Sequence, residues 1–169
     1  MRNKLRRVEE VLAMGVEMAC VEDIDELVEL RLAYLREDNG ELDAAVVAGV
    51  QKGLPSYYHA HLGKDLFVHV VREGGVIASC AFLLLVEKPL SPAFPNGKTG
   101  TVLNVYTRPS ARRRGYARRV MQALLGHAQE MGLCVIDLKA TDAGYPLYKT
   151  LGFADDHSKY HPMQWINCG

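Results

Sequence analysis

The chain has 169 residues, 49% hydrophobic and 24% charged, which describes one ordinary soluble domain able to bury about two-thirds of its unfolded surface without metal or disulfide staples. Twenty Lys and Arg balance twenty Asp and Glu, so the totals exclude a generally basic nucleic-acid coat, a polybasic membrane binder and an acidic tail. The zero is a cancellation: residues 9–43 carry twelve acids against Arg31 and Arg36, a net of −10, whereas residues 88–129 carry Lys88, Lys98 and six arginines with no acid, a net of +8.

Residues 1–15 read as an N-terminal arm with alternating charges, helical to about residue 14, ahead of one domain over 16–169. Weak alternation over 16–21 predicts a first edge strand. Asp23 then caps a helix carrying Ile24, Leu27, Val28, Leu30 (or Leu32) and Leu35 at helical spacing, ending near Asn39-Gly40. A second helix runs from Leu42 to about Lys52 and closes at Gly53-Leu54-Pro55. Residues 65–72 form a strand, Gly74-Gly75 a tight turn and 76–86 the second strand of a hairpin. Three of the seven prolines and two glycines make 88–100 a loop, and the β-branched run 101–108 is a strand. The clearest helix is 117–131, with Ala117, Val120, Met121, Leu124, Leu125, Ala128 and Met131 on one face. Gly132 ends it, 133–138 is a buried strand, 143–151 a short helix stopped by Gly152, and Phe153 opens a last strand region. This order is α/β in its second half with antiparallel pairs before it, without repeats or linkers.

The opening MRNKLRRVEEVL turns acidic where a signal peptide would turn apolar. The longest uncharged apolar stretch, 74–86, has 13 residues, short of the roughly 20 that span a bilayer. A cytoplasmic protein without a membrane partner is the expectation. Cys20, Cys80, Cys134 and Cys168 form no CxxC pair, so zinc-ribbon and dithiol redox chemistry lack their spacing. Reduced thiols follow, with Cys80 and Cys134, inside apolar runs, acting as small buried hydrophobes. His59 and His61 have no third ligand at plausible spacing, and no metal site is expected.

The informative segment is 101–117: a strand, the turn Arg108-Pro109-Ser110-Ala111, then Arg112-Arg113-Arg114-Gly115-Tyr116-Ala117 opening the long helix. A glycine-bearing turn entering a helix N-terminus is an anion site, because the first N–H groups are unpaired and the helix dipole favours negative charge there. Gly115 lets the backbone approach a phosphate, and the arginines add positive charge at the rim. A diphosphate is the natural guest, although neither GxxxxGK nor GxGxxG is present. An arginine run is ordinarily solvated surface, and six arginines (Arg108, Arg112, Arg113, Arg114, Arg118, Arg119) also suit a nucleic-acid binder. Base stacking, however, needs interleaved aromatics, and Tyr116 is the only one in the run.

The stretch LNVYTRPSARRRGYARRVMQALLGHAQEMGL, with the later GYPLYKTLGF, resembles the GNAT superfamily of acyl-CoA-dependent N-acetyltransferases. The family's phosphate motif, Arg/Gln-x-x-Gly-x-Gly/Ala, is met by Arg112, Gly115 and Ala117; its Tyr followed by Leu-Gly-Phe is met by Tyr148, Leu151, Gly152 and Phe153. The resemblance implies a single domain of mixed α/β (α+β) class. Its central mixed, largely antiparallel twisted sheet would have six to seven strands, splayed at the acyl-CoA site and flanked by about four helices. It further implies that Val105, Tyr106 and Thr107 offer backbone groups to the pantetheine arm of acetyl-CoA. The N–H groups of Arg112, Arg113, Arg114, Gly115, Tyr116 and Ala117 would hold the pyrophosphate, and Arg113, Arg114 or Arg118 would meet the 3′-phosphate. Asp142 stands where the family often has Asn, a position that contacts cofactor. Tyr148 matches the general acid, and the family's frequent dimers imply a homodimer, with 161–166 as a candidate pairing strand.

Thioester aminolysis needs a neutral amine, a polarised carbonyl and a proton for the departing thiolate. A tyrosine of pKa near 10 is protonated at neutral pH and can supply that proton. No residue is a clear base: Glu87 follows the third strand, His69 lies on the second, Asn104 lies on the central strand but cannot act as a base, and a water chain serves as well. Four acids in the turn 37–43 (Glu37, Asp38, Glu41, Asp43) suggest a negative mouth for a cationic amine, against the plainer reading of a solvated turn. The expected function is transfer of an acetyl group from acetyl-CoA to a primary amine of a small molecule or peptide, with no metal, nucleic acid or covalent enzyme intermediate. The rivals are a non-catalytic acyl-CoA-binding or sensing module and, further off, a nucleic-acid binder using the arginine cluster.

Overall fold

A computed structural model describes residues 15–167; the expected arm over 1–14 lies outside them. The chain divides after Lys139 into two compact units. In the first, β1 (Glu17–Met18), α1 (Ile24–Asn39), α2 (Ala44–His61), β2 (Leu66–Glu73), β3 (Val76–Glu87), β4 (Lys98–Thr107), α3 (Tyr116–Glu130) and β5 (Val135–Asp137) follow in chain order. Their five strands form one sheet in sequential order, antiparallel except for the parallel β4–β5 pair. The second unit holds α4 (Tyr145–Thr150).

The β2–β3 hairpin is turned by Gly74 and Gly75 at φ of 57° and 86°, both in the left-handed region that a two-residue turn with the sheet's own twist requires. Alternation along β2 then separates two faces. Leu66, Val68 and Val70 join Ile77, Cys80, Phe82 and Tyr106 against Ile24, Leu27, Val28 and Leu30 of α1 and Tyr58 of α2. On the other face α3 buries Val120, Met121, Ala123, Leu124 and Ala128, and Phe67 and His69 of β2 contact its His127 ring. The predicted helix over 117–131 is therefore present within one residue at each end.

Several elements differ from expectation. Asp23 occupies the cap position of α1, but its side chain accepts from the Cys20 N–H (3.0 Å) and pairs with Arg72 (2.7 Å) instead of capping the helix. The second helix does not close at Pro55; α2 continues through it to His61. Proline costs one backbone hydrogen bond, and the buried Tyr58 beyond it, packed with Leu54 and Leu62 on the α1 face, outweighs that loss. β4 begins at Lys98, inside the predicted loop, because Gly100 lets the chain pass Leu83 and Leu133: a Cβ there would lie 2.7 and 2.9 Å from their methyl groups. The strand expected to be buried over 133–138 is the three-residue β5, whose Val135 and Asp137 are exposed. Cys134 is likewise exposed, its Sγ donating to the Lys98 carbonyl (3.0 Å). No strand forms among the described residues after Phe153, so the sheet has five strands instead of six or seven. Residues 161–167 are irregular and exposed, with Met163, Trp165 and Ile166 open to solvent.

His69 is buried, with its Nδ1 unpaired. Burial, and secondarily the nearby His127, lower its pKa to about 3. The unfolded chain binds a proton near pH 6.5 that the folded chain refuses, so stability is complete above that pH and falls as pH drops towards 3. Acidification from pH 6.5 to 5 is expected to cost roughly 2 kcal/mol through this group, and His69→Leu should flatten that part of a chemical-denaturation pH profile.

Candidate functional site

β4 has different partners on its two edges. β3 accompanies it from the Glu87–Lys98 pair to the Ser79–Thr107 pair, and the Arg108 N–H still donates to the Ala78 carbonyl (2.9 Å). β5 pairs only with Thr99, Gly100 and Thr101. Beyond Thr101 the β5-facing edge, including Val105, Tyr106 and Thr107, has no partner strand among the described residues. A bulge falls in this stretch: Cys80 pairs with Tyr106 and Phe82 with Leu103, so three steps on β4 answer two on β3. Asn104 takes the extra position at φ 47°, a left-handed conformation that asparagine tolerates better than most residues. Such a bulge bends its strand and increases its twist, which carries β4 away from β5.

The strand runs into a short 3₁₀ turn, Pro109–Ala111, and then into the loop before α3. Arg113 stands at φ 61° and Gly115 at φ 78°. Holding a side-chain-bearing residue there costs on the order of 1 kcal/mol. Gly115 is the N-cap of the 15-residue α3 and has no side chain with which to satisfy the helix's first N–H groups. A Cβ on it would meet nothing within 4 Å, so the loop is open on that side. A turn that lines up successive N–H groups ahead of a helix start forms a concavity suited to an anion.

The surrounding arginines are not equivalent. Arg108 donates through Nε to the Ile77 carbonyl (2.7 Å) and through Nη2 to Glu26 (3.0 Å), whose carboxylate also accepts from the Ile77 N–H (2.7 Å). Arg112 donates to the Thr107 carbonyl (3.0 Å) and to Glu37, and its pKa is raised mainly by that carboxylate. Arg114 reaches Glu73 (2.8 Å) and the Ser110 carbonyl (3.1 Å), and Tyr116 donates its hydroxyl to the same Glu73. Tyr116 first, and Arg114 second, hold the Glu73 carboxyl below its ordinary range. Arg113 is exposed and makes no ion pair among the described residues, and Arg118 is exposed on the first turn of α3. Arg119 lies over the Tyr116 ring, 5.1 Å from its centroid.

The same contacts redistribute the acidic turn. Glu37 is committed to Arg112, and Asp43 caps α2 by accepting from the Ala45 N–H (2.7 Å). Among the base candidates, Glu87 pairs with Lys98, seven residues from Val105, or roughly 23 Å at ~3.3 Å per residue. It lines a cavity of about 520 Å³ with His61 and Asp65, which hydrogen-bond to each other at 2.8 Å. His69 is on the α3 face, whereas Asn104 accepts from Arg31 of α1 (3.1 Å) on the opposite face. Neither Glu87 nor His69 meets the free edge of β4.

In the second unit, Asp142 lies in the exposed turn before α4, and Tyr148 lies within that helix. The Tyr148 ring packs edge-on against Phe153, with centroids 5.9 Å apart, and a Cβ on Gly144 would lie 2.9 Å from it.

A family model for GNAT acetyltransferases matches residues 24–153. The chain belongs to the GNAT acetyltransferase family. A GCN5-related N-acetyltransferase from Ralstonia eutropha JMP134 is 29% identical, with a TM-score of 0.74 over 88% of this chain and 97% of the other. A predicted acetyltransferase with acetyl-CoA from Clostridium acetobutylicum is 26% identical, with a TM-score of 0.76 over 88% and 94%. The glucosamine-6-phosphate N-acetyltransferase of Arabidopsis thaliana, 17% identical with a TM-score of 0.63 over 88% and 96%, shares the fold. No curated protein matches. The family match spans both units, Arg112, Gly115 and Ala117 lying in the first and Tyr148 in the second. No helix among the described residues is long and apolar enough to cross a membrane.

Arg31 and Asn104, which meet across the α1 face, each carry a signal in the sequence. Arg31 falls four residues after Leu27 and three after Val28, inside the apolar stripe of α1, and Asn104 interrupts an apolar strand. Glu26, 22% exposed and shared by Arg72, Arg108 and the Ile77 N–H, was unmarked in the sequence. Glu26→Gln is expected to destabilise the fold by about 1–3 kcal/mol, since it leaves partly buried donors short of charge. Glu37→Gln, at a half-exposed pair, should cost under ~1 kcal/mol; urea denaturation of the two variants checks the order.

Proposed function

We propose that this protein transfers an acetyl group from acetyl-CoA directly to a primary amine of a small molecule or peptide. The observation that carries the reading is the unpaired β5-facing edge of β4 leading into the open, left-handed loop at Gly115. Backbone groups of Val105, Tyr106 and Thr107 would take the pantetheine arm as a strand takes its neighbour. The N–H groups of Arg112, Arg113, Arg114, Gly115, Tyr116 and Ala117 would take the pyrophosphate. Arg113, Arg114 or Arg118 would meet the 3′-phosphate, Arg114 by exchanging its exposed pair with Glu73. Asp142 remains a cofactor contact carried over from the family pattern. The acetyl-CoA accompanying the Clostridium acetobutylicum relative supports the choice of donor.

In the reaction the amine nitrogen forms a bond to the thioester carbon, the carbon–sulfur bond breaks, and Tyr148 gives its hydroxyl proton to the departing thiolate. The proton lost by the amine passes to water, which returns one to the Tyr148 phenolate, since Glu87 and His69 stand away from the site. Support for Tyr148 is its place in the family's Tyr-x-x-Leu-Gly-Phe pattern, inside the matched span. A binder of nucleic acid fits less well, because Arg108, Arg112 and Arg114 are already paired with carboxylates.

Thiol release from acetyl-CoA against a panel of amines tests the reading. Gly115→Val, which forces a β-branched residue to positive φ and fills the loop, is expected to raise the KM for acetyl-CoA at least tenfold. Tyr148→Phe should lower kcat by roughly 10² while calorimetry shows CoA binding as in the parent. CoA binding without thiol release for any amine would establish the sensing module instead.

A further inference from the structure

Asn104 presents an unsatisfied donor in a place where proteins rarely leave one. The residue is 7% exposed, and its Nδ2 has no hydrogen-bond partner. Its Oδ1 accepts from Arg31 Nη1 at 3.1 Å, which fixes the amide and identifies the NH₂ group as the unpaired end. A buried donor left unpaired is destabilising unless another group completes it. Arg31 shows the same incompleteness. It is a half-buried guanidinium on the apolar stripe of α1, stacked 5.3 Å from the centroid of the Tyr34 ring. Of the five N–H donors that arginine carries, one is used among the described residues, and no carboxylate of those residues pairs with it. By contrast Arg72, Arg108, Arg112 and Arg114 each have an acid. Tyr58 lies close enough to feel the Arg31 charge, but no hydroxyl, carbonyl or carboxylate of the described residues accepts from the Asn104 amide N–H groups.

We infer that Arg31 and the Asn104 amide together bind a carboxylate of the acyl acceptor, so that the acceptor is an amino-acid-like amine. The inference rests on the acetyl-transfer reading, because Asn104 immediately precedes the strand segment assigned to the pantetheine arm. A carboxylate accepts from two donors at once and prefers the fixed fork of a guanidinium. Charge complementarity favours an anion over a neutral carbonyl, since one of the two groups carries a full positive charge. The pair also changes the charge expected of the acceptor: of the four acids in the 37–43 turn that suggested a cationic substrate, Glu37 holds Arg112 and Asp43 caps α2, which leaves Asp38 and Glu41 exposed.

The test compares α-amino acids with their carboxamides as matched acceptors, at equal concentrations of neutral amine. The parent protein is expected to prefer the carboxylate member of the pair at least tenfold in kcat/KM. Arg31→Gln should abolish the preference, as should Asn104→Asp, which keeps a residue tolerant of positive φ but sets a carboxylate against Arg31. Arg31→Lys, retaining the charge without the fork, should keep part of it. Circular dichroism and CoA calorimetry on each variant report whether it is folded. Equal rates for acid and amide in the parent, or a preference that survives in folded Arg31→Gln and Asn104→Asp variants, overturn the inference. If no amine of any kind is acetylated, the transfer reading fails and binding alone decides: amino acids titrated into CoA-loaded parent protein should release heat that both variants lose, and absence of that heat in the parent overturns the inference.

Discussion

The central constraint is the unequal pairing of β4. Its β3 edge is hydrogen-bonded from one end to the other, which anchors the strand in the sheet, while its β5 edge is occupied at Thr99, Gly100 and Thr101 alone. A strand half released in this way still holds its exposed N–H and C=O groups in register, so a guest can add to it as a further strand would. The bulge at Asn104 supplies the bend, and Gly100 supplies the close approach to Leu83 and Leu133 that keeps β4 and β5 together below it. The loop and α3 then depend on where β4 ends, because Arg108 is tied both to the Ala78 carbonyl through its backbone and to Ile77 and Glu26 through its side chain.

Charge is organised around the same strand. The acidic front of the chain wraps onto the basic middle: Glu26 meets Arg108, Glu37 meets Arg112, and Asp23 meets Arg72 beside them. These contacts join residues far apart in sequence and consume much of the positive charge that the arginine run displays on paper. What remains at the loop is the part that backbone geometry provides, namely the N–H groups before α3 and the unengaged Arg113. Binding an anion through oriented backbone dipoles in this way leaves most side chains free to fix the loop itself.

The two faces of the sheet divide the remaining polar groups. His69 and His127 are enclosed under α3, where burial keeps His69 neutral. Asn104 and Arg31 look into the α1 face, beside Tyr58, whose phenol is held protonated by burial against the opposing influence of Arg31. Cys80 on that face has its thiol pushed up to about 12 by burial, so it is inert there.

Much of this was legible in the residue order because it depends on local chemistry. The Gly74-Gly75 hairpin, the period of α3 and the glycine before it follow from backbone freedom and helical spacing, and the family motifs sit on those elements. Helix α2 running through Pro55, the exposed three-residue β5 and the irregular chain after Phe153 were not legible. In those places a long-range contact, or its absence, outweighs local propensity: Tyr58 holds α2 past a proline, and a short strand forms only where β4 offers a partner. The arginines divide on the same line. Their number and position beside a helix start are properties of the sequence alone. Which of them serve a carboxylate and which stay available was decided by tertiary structure, because an ion pair depends on distance in space and Glu26, Glu37 and Glu73 arrive from elements that the sequence places 82, 75 and 41 residues away.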